Sequence, residues 1–107
     1  MAEHFLRQHV VISDHDRTVA AAEVTTSGIS GGTARAFLRA ESGHITPGRR
    51  ASLVDAVLDL PEVQAGSRLE ATVPLGDAES LQRLRERTKD TVTRPAGSTA
   101  LLDGDIR

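Results

Sequence analysis

Apolar residues along this chain recur first at every second position, then at helical spacing, then at every second position again. Leu6, Val10 and Ile12 share one face of a period-2 pattern over residues 5–12, which predicts a strand, and Ser13-Asp14-His15-Asp16-Arg17 supplies turn chemistry behind it. Residues 18–26 (TVAAAEVTT) read as the returning strand. Their alanines are ambiguous between strand and helix, but Ser27-Gly28 and Gly31-Gly32 bracket a loop directly after them. In TARAFLRAES, Ala34, Ala36, Leu38 and Ala40 alternate with Arg35, Phe37, Arg39 and Glu41, so a third strand has one small-residue face and one largely charged face.

The period then changes. Leu53, Val54, Val57, Leu58 and Leu60 repeat at helical spacing, with Thr46 expected as N-cap, Pro47 at the first helical position and Pro61 ending the run. After Gly66, Leu69, Ala71 and Val73 alternate with Arg68, Glu70 and Thr72 in a fourth strand that Pro74 closes. Asp77 caps a second helix over DAESLQRLRERT, whose narrow stripe of Leu81, Leu84 and Thr88 places it on a surface. A loop around Pro95–Gly97 leads to a short last strand over Ser98–Leu102. The order β-β-β-α-β-α-β predicts an α+β fold in a single domain over residues 1–107: an antiparallel meander, a helix over one face and a crossover to a further strand.

Composition narrows the chemistry. The chain is 38% hydrophobic and 26% charged with a net charge of -2, as in a folded domain with no overall field toward nucleic acid. It has no cysteine, which excludes disulfides, thiolate metal sites and a cysteine nucleophile. Phe5 and Phe37 are its only aromatics, so the core must come from Ala, Val and Leu, and base-stacking platforms are disfavoured. No basic region followed by a long apolar run opens the sequence, and no apolar stretch approaches the length of about 18 residues needed to span a bilayer. A cytoplasmic location without membrane contact is expected.

The order of elements resembles the later part of the GCN5-related N-acetyltransferase (GNAT) superfamily over roughly residues 5–102. HVVISDHDRTVAAAEV looks like its hairpin, ITPGRRASLVDAVL like its cofactor-loop helix, and SRLEATVPLGDAESLQRLRER like the strand and helix that follow. The resemblance implies coenzyme A or acetyl-CoA as cofactor, its pyrophosphate cradled at the start of that helix. Pro47 and Arg50 match positions that members often show. The family's Gly-x-Gly or Gly-x-Ala is absent, because Arg50 is followed by Ala51, Ser52, Leu53, Val54 and Asp55. The frequent tyrosine general acid is absent too, in a chain without tyrosine, as are the two helices that commonly precede the meander.

Arg49 and Arg50 stand at the positive end of the first helix's dipole, and Ser52, Leu53 and Val54 three and four residues on supply no acid. The second helix follows the usual rule with Asp77 and Glu79. A phosphate or carboxylate would find donors at Thr46, Gly48, Arg49 and Arg50; otherwise the two arginines extend into solvent or reach acids such as Glu41, Glu62 or Glu70. Asp14, His15 and Asp16, even with His4 or His9, lie in a turn whose side chains diverge, so no metal site is expected. His44 is a loop histidine, not a general base, and the serines lack a G-x-S-x-G elbow, so no catalytic residue is assigned. Arg83, Arg85, Arg87 and Lys89 read as a solvated helix face partly paired through Glu79 and Arg83, which disfavours nucleic acid as partner. The alanine-lined strands suit pairing across a homodimer interface at an exposed edge.

These readings describe a small binding or interaction domain, non-catalytic and self-associating. The alternatives are a minimal acyltransferase holding acyl-CoA at Thr46 to Arg50, and a regulator that meets nucleic acid or a protein partner through the second helix.

Overall fold

A computed structural model describes residues 6–14, 16–27, 31–40 and 47–107. Its elements are β1 (Leu6–Asp14), β2 (Arg17–Thr26), β3 (Thr33–Ala40), α1 (Arg49–Leu58), α2 (Pro61–Gln64), β4 (Arg68–Pro74), α3 (Ala78–Arg87), β5 (Thr88–Ala96) and β6 (Thr99–Ile106). The six strands form one mixed sheet in the order β1-β2-β3-β4-β6-β5. All neighbours run antiparallel except β3 and β4, which α1 and α2 connect as a parallel pair. The expected α+β class and meander are as read from the pattern.

Alternation sets the two faces of the sheet. Ala20, Ala22 and Val24 of β2, Ala34, Ala36 and Leu38 of β3, Leu69, Ala71 and Val73 of β4, and Ala100 and Leu102 of β6 are buried in one core cluster. Leu53, Val54, Val57 and Leu58 of α1, Val63 of α2 and Leu84 of α3 cover that face. Alanine on so many sheet positions lets the helices approach closely, so a core with no aromatic side chain among the described residues still closes. On the opposite face stand Arg35, Phe37, Arg39, Arg68, Glu70, Asp103 and Asp105, with ion pairs from Arg35 to Glu70 (2.9 Å) and from Arg68 to Asp103 (3.1 Å).

Several boundaries differ from the sequence pattern. The strand expected over 5–12 runs on through Ser13 and Asp14, and the returning strand starts at Arg17, with Asp16 left-handed (φ 62°) in a tight turn. The first helix begins at Arg49, not at Pro47; its N-cap is Gly48 (φ 94°), and Thr46 lies outside the described residues. Pro61 starts a helix as well as ending one, since it is the first residue of α2. Thr88 belongs to β5, and the last strand extends to Ile106. The pattern did not predict β5 at all. Its residues TKDTVTRPA alternate only weakly, and the ladder with β6 is what makes them a strand.

Candidate functional site

The parallel pair carries the candidate site at its carboxyl end. β3 and β4 are paired from Thr33 with Arg68 as far as Phe37 with Thr72, and each then continues unpaired with the other. α3 follows β4 directly, and α1 is the next helix after β3, so two helix N-termini converge there. Crevices outside the carboxyl ends of parallel strands are where open α/β sheets bind ligands.

Two positive dipole ends and two arginines at one place require anions. α1 supplies none: Gly48 has no side chain to cap with, and the first turn contains no acid. The start of α3 supplies two, Asp77 as its N-cap and Glu79 in its first turn. Glu79 accepts from the Gly48 amide through Oε1 (3.1 Å) and from the Ala51 amide through Oε2 (2.8 Å). Asp77 caps its own helix, accepting from the Ser80 amide (3.1 Å) and the Ser80 hydroxyl (2.7 Å), and its Oδ1 lies 3.4 Å from Arg50 Nη1. Burial alone would push the Glu79 carboxyl up. The amides of Ala51, Gly48 and Arg50, helped by the Arg50 charge, outweigh it and hold the group below its ordinary value.

Of the residues expected to meet an anion, Gly48, Arg49 and Arg50 are therefore brought together at this corner, while Thr46, like His44, lies outside the described residues. The anion at their helix start is the chain's own Glu79. Arg50 reaches Asp77, an acid that sequence spacing assigns only to its own helix, and Arg49 is not free either; Glu41 lies outside the described residues. Sequence reasoning missed this role for Asp77 and Glu79 because each was assigned to its own helix. The available signal was an imbalance: one helix start rich in cations, another rich in acids.

Arg85 of α3 is exposed, as a solvated face requires, but Arg83 and Arg87 turn to α1. Arg83 binds Asp55 of α1 through two nitrogens (2.8 Å each), and Arg87 binds both Asp55 (2.9 Å) and Asp59 (2.8 Å). The expected pairing of Glu79 with Arg83 on one helix gives way to these contacts between helices, since Glu79 is spent on α1. Lys89 lies on β5 and not on the helix. Among the described residues no group of three His, Cys, Asp or Glu could hold a metal ion, and no helix is long and apolar enough to cross a membrane.

Among the described residues, cavities also lie away from this corner. One of about 240 Å³, lined in part by Thr26, Gly32, Glu62 and Gly66, is at the amino end of β3. Another, of about 400 Å³, lies on the uncovered face between β4, β6 and β5.

No family model matches the chain, and no curated protein is similar to it at a significant level. Among solved structures, the GNAT domain of S. lividans PAT is similar over 94% of this chain and 61% of its own, with a TM-score of 0.63 and 12% identity. The ribosomal-protein-alanine N-acetyltransferase from Brucella melitensis is similar over 94% of this chain and 69% of its own (TM-score 0.63, 14% identity). The yncA protein from Salmonella typhimurium, described as a putative acetyltransferase with its cofactor acetyl-CoA, is similar over 94% and 64% (TM-score 0.61, 11% identity). At these identities the likeness shows the fold. The chain has a GNAT-like fold, and it spans about three fifths of the S. lividans domain's length.

Proposed function

We propose that this chain is a binding or interaction module of GNAT-like fold that does not carry out acyl transfer, with Glu79 standing where an anionic cofactor group would bind. One observation carries the reading: both Glu79 carboxylate oxygens occupy amides at the start of α1. The family resemblance assigns that helix start to the coenzyme A pyrophosphate, and the two anions compete for the same donors. Displacing Glu79 would also bring pyrophosphate beside the buried Asp77 carboxylate. The segment Ala51-Ser52-Leu53-Val54-Asp55 offers no glycine for close backbone approach, and no tyrosine exists to protonate a leaving thiolate. These residues do not fit the cofactor's pyrophosphate with Glu79 in place.

Thermal unfolding and calorimetry with coenzyme A and acetyl-CoA test the reading. The unmodified chain is expected to gain no Tm at about 1 mM of either ligand, since a bound ligand stabilises by mass action. Glu79→Ala frees the amides; it is expected to lose about 1 kcal/mol, the worth of a helix cap, and to regain stability in pyrophosphate. Stoichiometric binding of coenzyme A to the unmodified chain at micromolar concentration would instead support the second reading, a minimal acyltransferase, which the acetyl-CoA-bound neighbour favours.

A further inference from the structure

We propose that two copies of this chain pair through β1, antiparallel about Val10, joining their sheets into one continuous sheet. The observation behind it is that the two edges of the sheet are unlike. β5, one edge, carries the features that stop a strand from recruiting another. It contains Pro95, the charged Lys89, Asp90 and Arg94, and a bulge between Lys89 and Val92 whose extra residue lies on β5 itself, with Asp90 left-handed at φ 53°. β1, the other edge, carries none of these over its middle. Gln8-His9-Val10-Val11-Ile12 has no proline and no Asp, Glu, Lys or Arg. Where the β1–β2 register shifts, after Ile12, the extra residue is Val19 on β2, so β1 keeps a regular backbone from Leu6 to Asp14.

An open edge calls for an extended strand, and the contrast with β5 selects a second copy as its source. A chain with two open edges would polymerise, whereas a chain with one closes at two copies and leaves only the blunted β5 edges outside. Face alternation sets the register. Gln8, Val10 and Ile12 lie on the helix-covered side and His9 and Val11 on the other, so like-faced residues meet only if the pairing centres on a residue. Centring on Val10, the midpoint of the nine-residue strand, pairs its whole length. Val10 then faces Val10 of the second copy and Ile12 faces Gln8. These two apolar side chains, now only partly buried, extend the core across the seam. On the other face Val11, 47% exposed, lies opposite His9 of the second copy.

Sedimentation velocity on the 107-residue chain from about 1 to 100 µM tests the proposal, together with amide exchange of β1 across the same range. Dimers with β1 amides that slow as concentration rises are expected. His9→Lys combined with Val11→Lys sets like charges opposite each other twice, at exposed positions, and is expected to weaken the dimer about 10- to 100-fold. Mixing that variant with His9→Glu plus Val11→Glu is expected to restore a mixed dimer. A monomer throughout the range, or a dimer indifferent to the lysines, overturns the proposal. Should either variant fail to fold by circular dichroism, the exchange pattern of the unmodified chain decides: β1 amides that do not respond to concentration overturn it.

Discussion

Thr26 and Gly66 line the same small cavity, and composition reveals the surroundings of neither. Thr26 is 6% exposed, yet its hydroxyl makes no hydrogen bond. An orphaned buried polar group costs about 1–3 kcal/mol, and valine has nearly the same shape. Thr26→Val is therefore expected to raise stability by about 1 kcal/mol in denaturant titration, and a fall would show that the hydroxyl is bonded after all. Gly66 reads in sequence as a break before a strand. In the fold it is a close approach: a Cβ there would stand 2.8 Å from the Gly32 carbonyl oxygen, which in turn accepts from the Ser67 amide at 2.9 Å. Gly48 needs no such room, but its φ of 94° favours glycine at the start of α1.

At the scale of elements, α1 and α3 are held together at several points by acids of one and donors of the other. Glu79 joins their N-terminal ends, and Asp55 and Asp59 of α1 take Arg83 and Arg87 of α3 farther along. The Arg83 hydrogen bond holds the Asp55 carboxyl below its ordinary value of 3.8, burial opposes, and Arg87 adds to the lowering. Glu79 is likewise held below 4.5. A carboxylate lowered in the folded state contributes its full stability above the unfolded pKa and loses it as pH falls through the folded one. Stability is thus expected to decline as pH falls below about 4.5, the ordinary carboxylate range. Glu79→Gln should make that decline shallower while lowering stability at neutral pH, as read by Tm from pH 3 to 7. An equally steep acid limb in the variant would exclude Glu79 from it.

Across the described residues as a whole, one face of the sheet is covered by helices and the other is not, while one edge is blunted and the other unpaired. If the open edge closes on a second copy, folding and association are linked, and Tm is expected to rise with protein concentration. A Tm unchanged over about a hundredfold range would leave the monomer as the folded unit. Much of this architecture was legible in the sequence. Alternation on β3 and β4, the apolar stripe of α1 and the Asp77 cap are signals within a few residues, and burial of one face turns each directly into geometry. Other features were decided only by tertiary structure. β5 is a strand because β6 lies beside it, and Gly104 of β6 is glycine because Thr88 leaves its Cβ only 3.0 Å. Arg50 finds its acid 27 positions away, and the start of α1 finds its anion in Glu79. Local spacing cannot report such partners, because the crossover that joins two helix starts sets a distance in space that sequence separation does not encode.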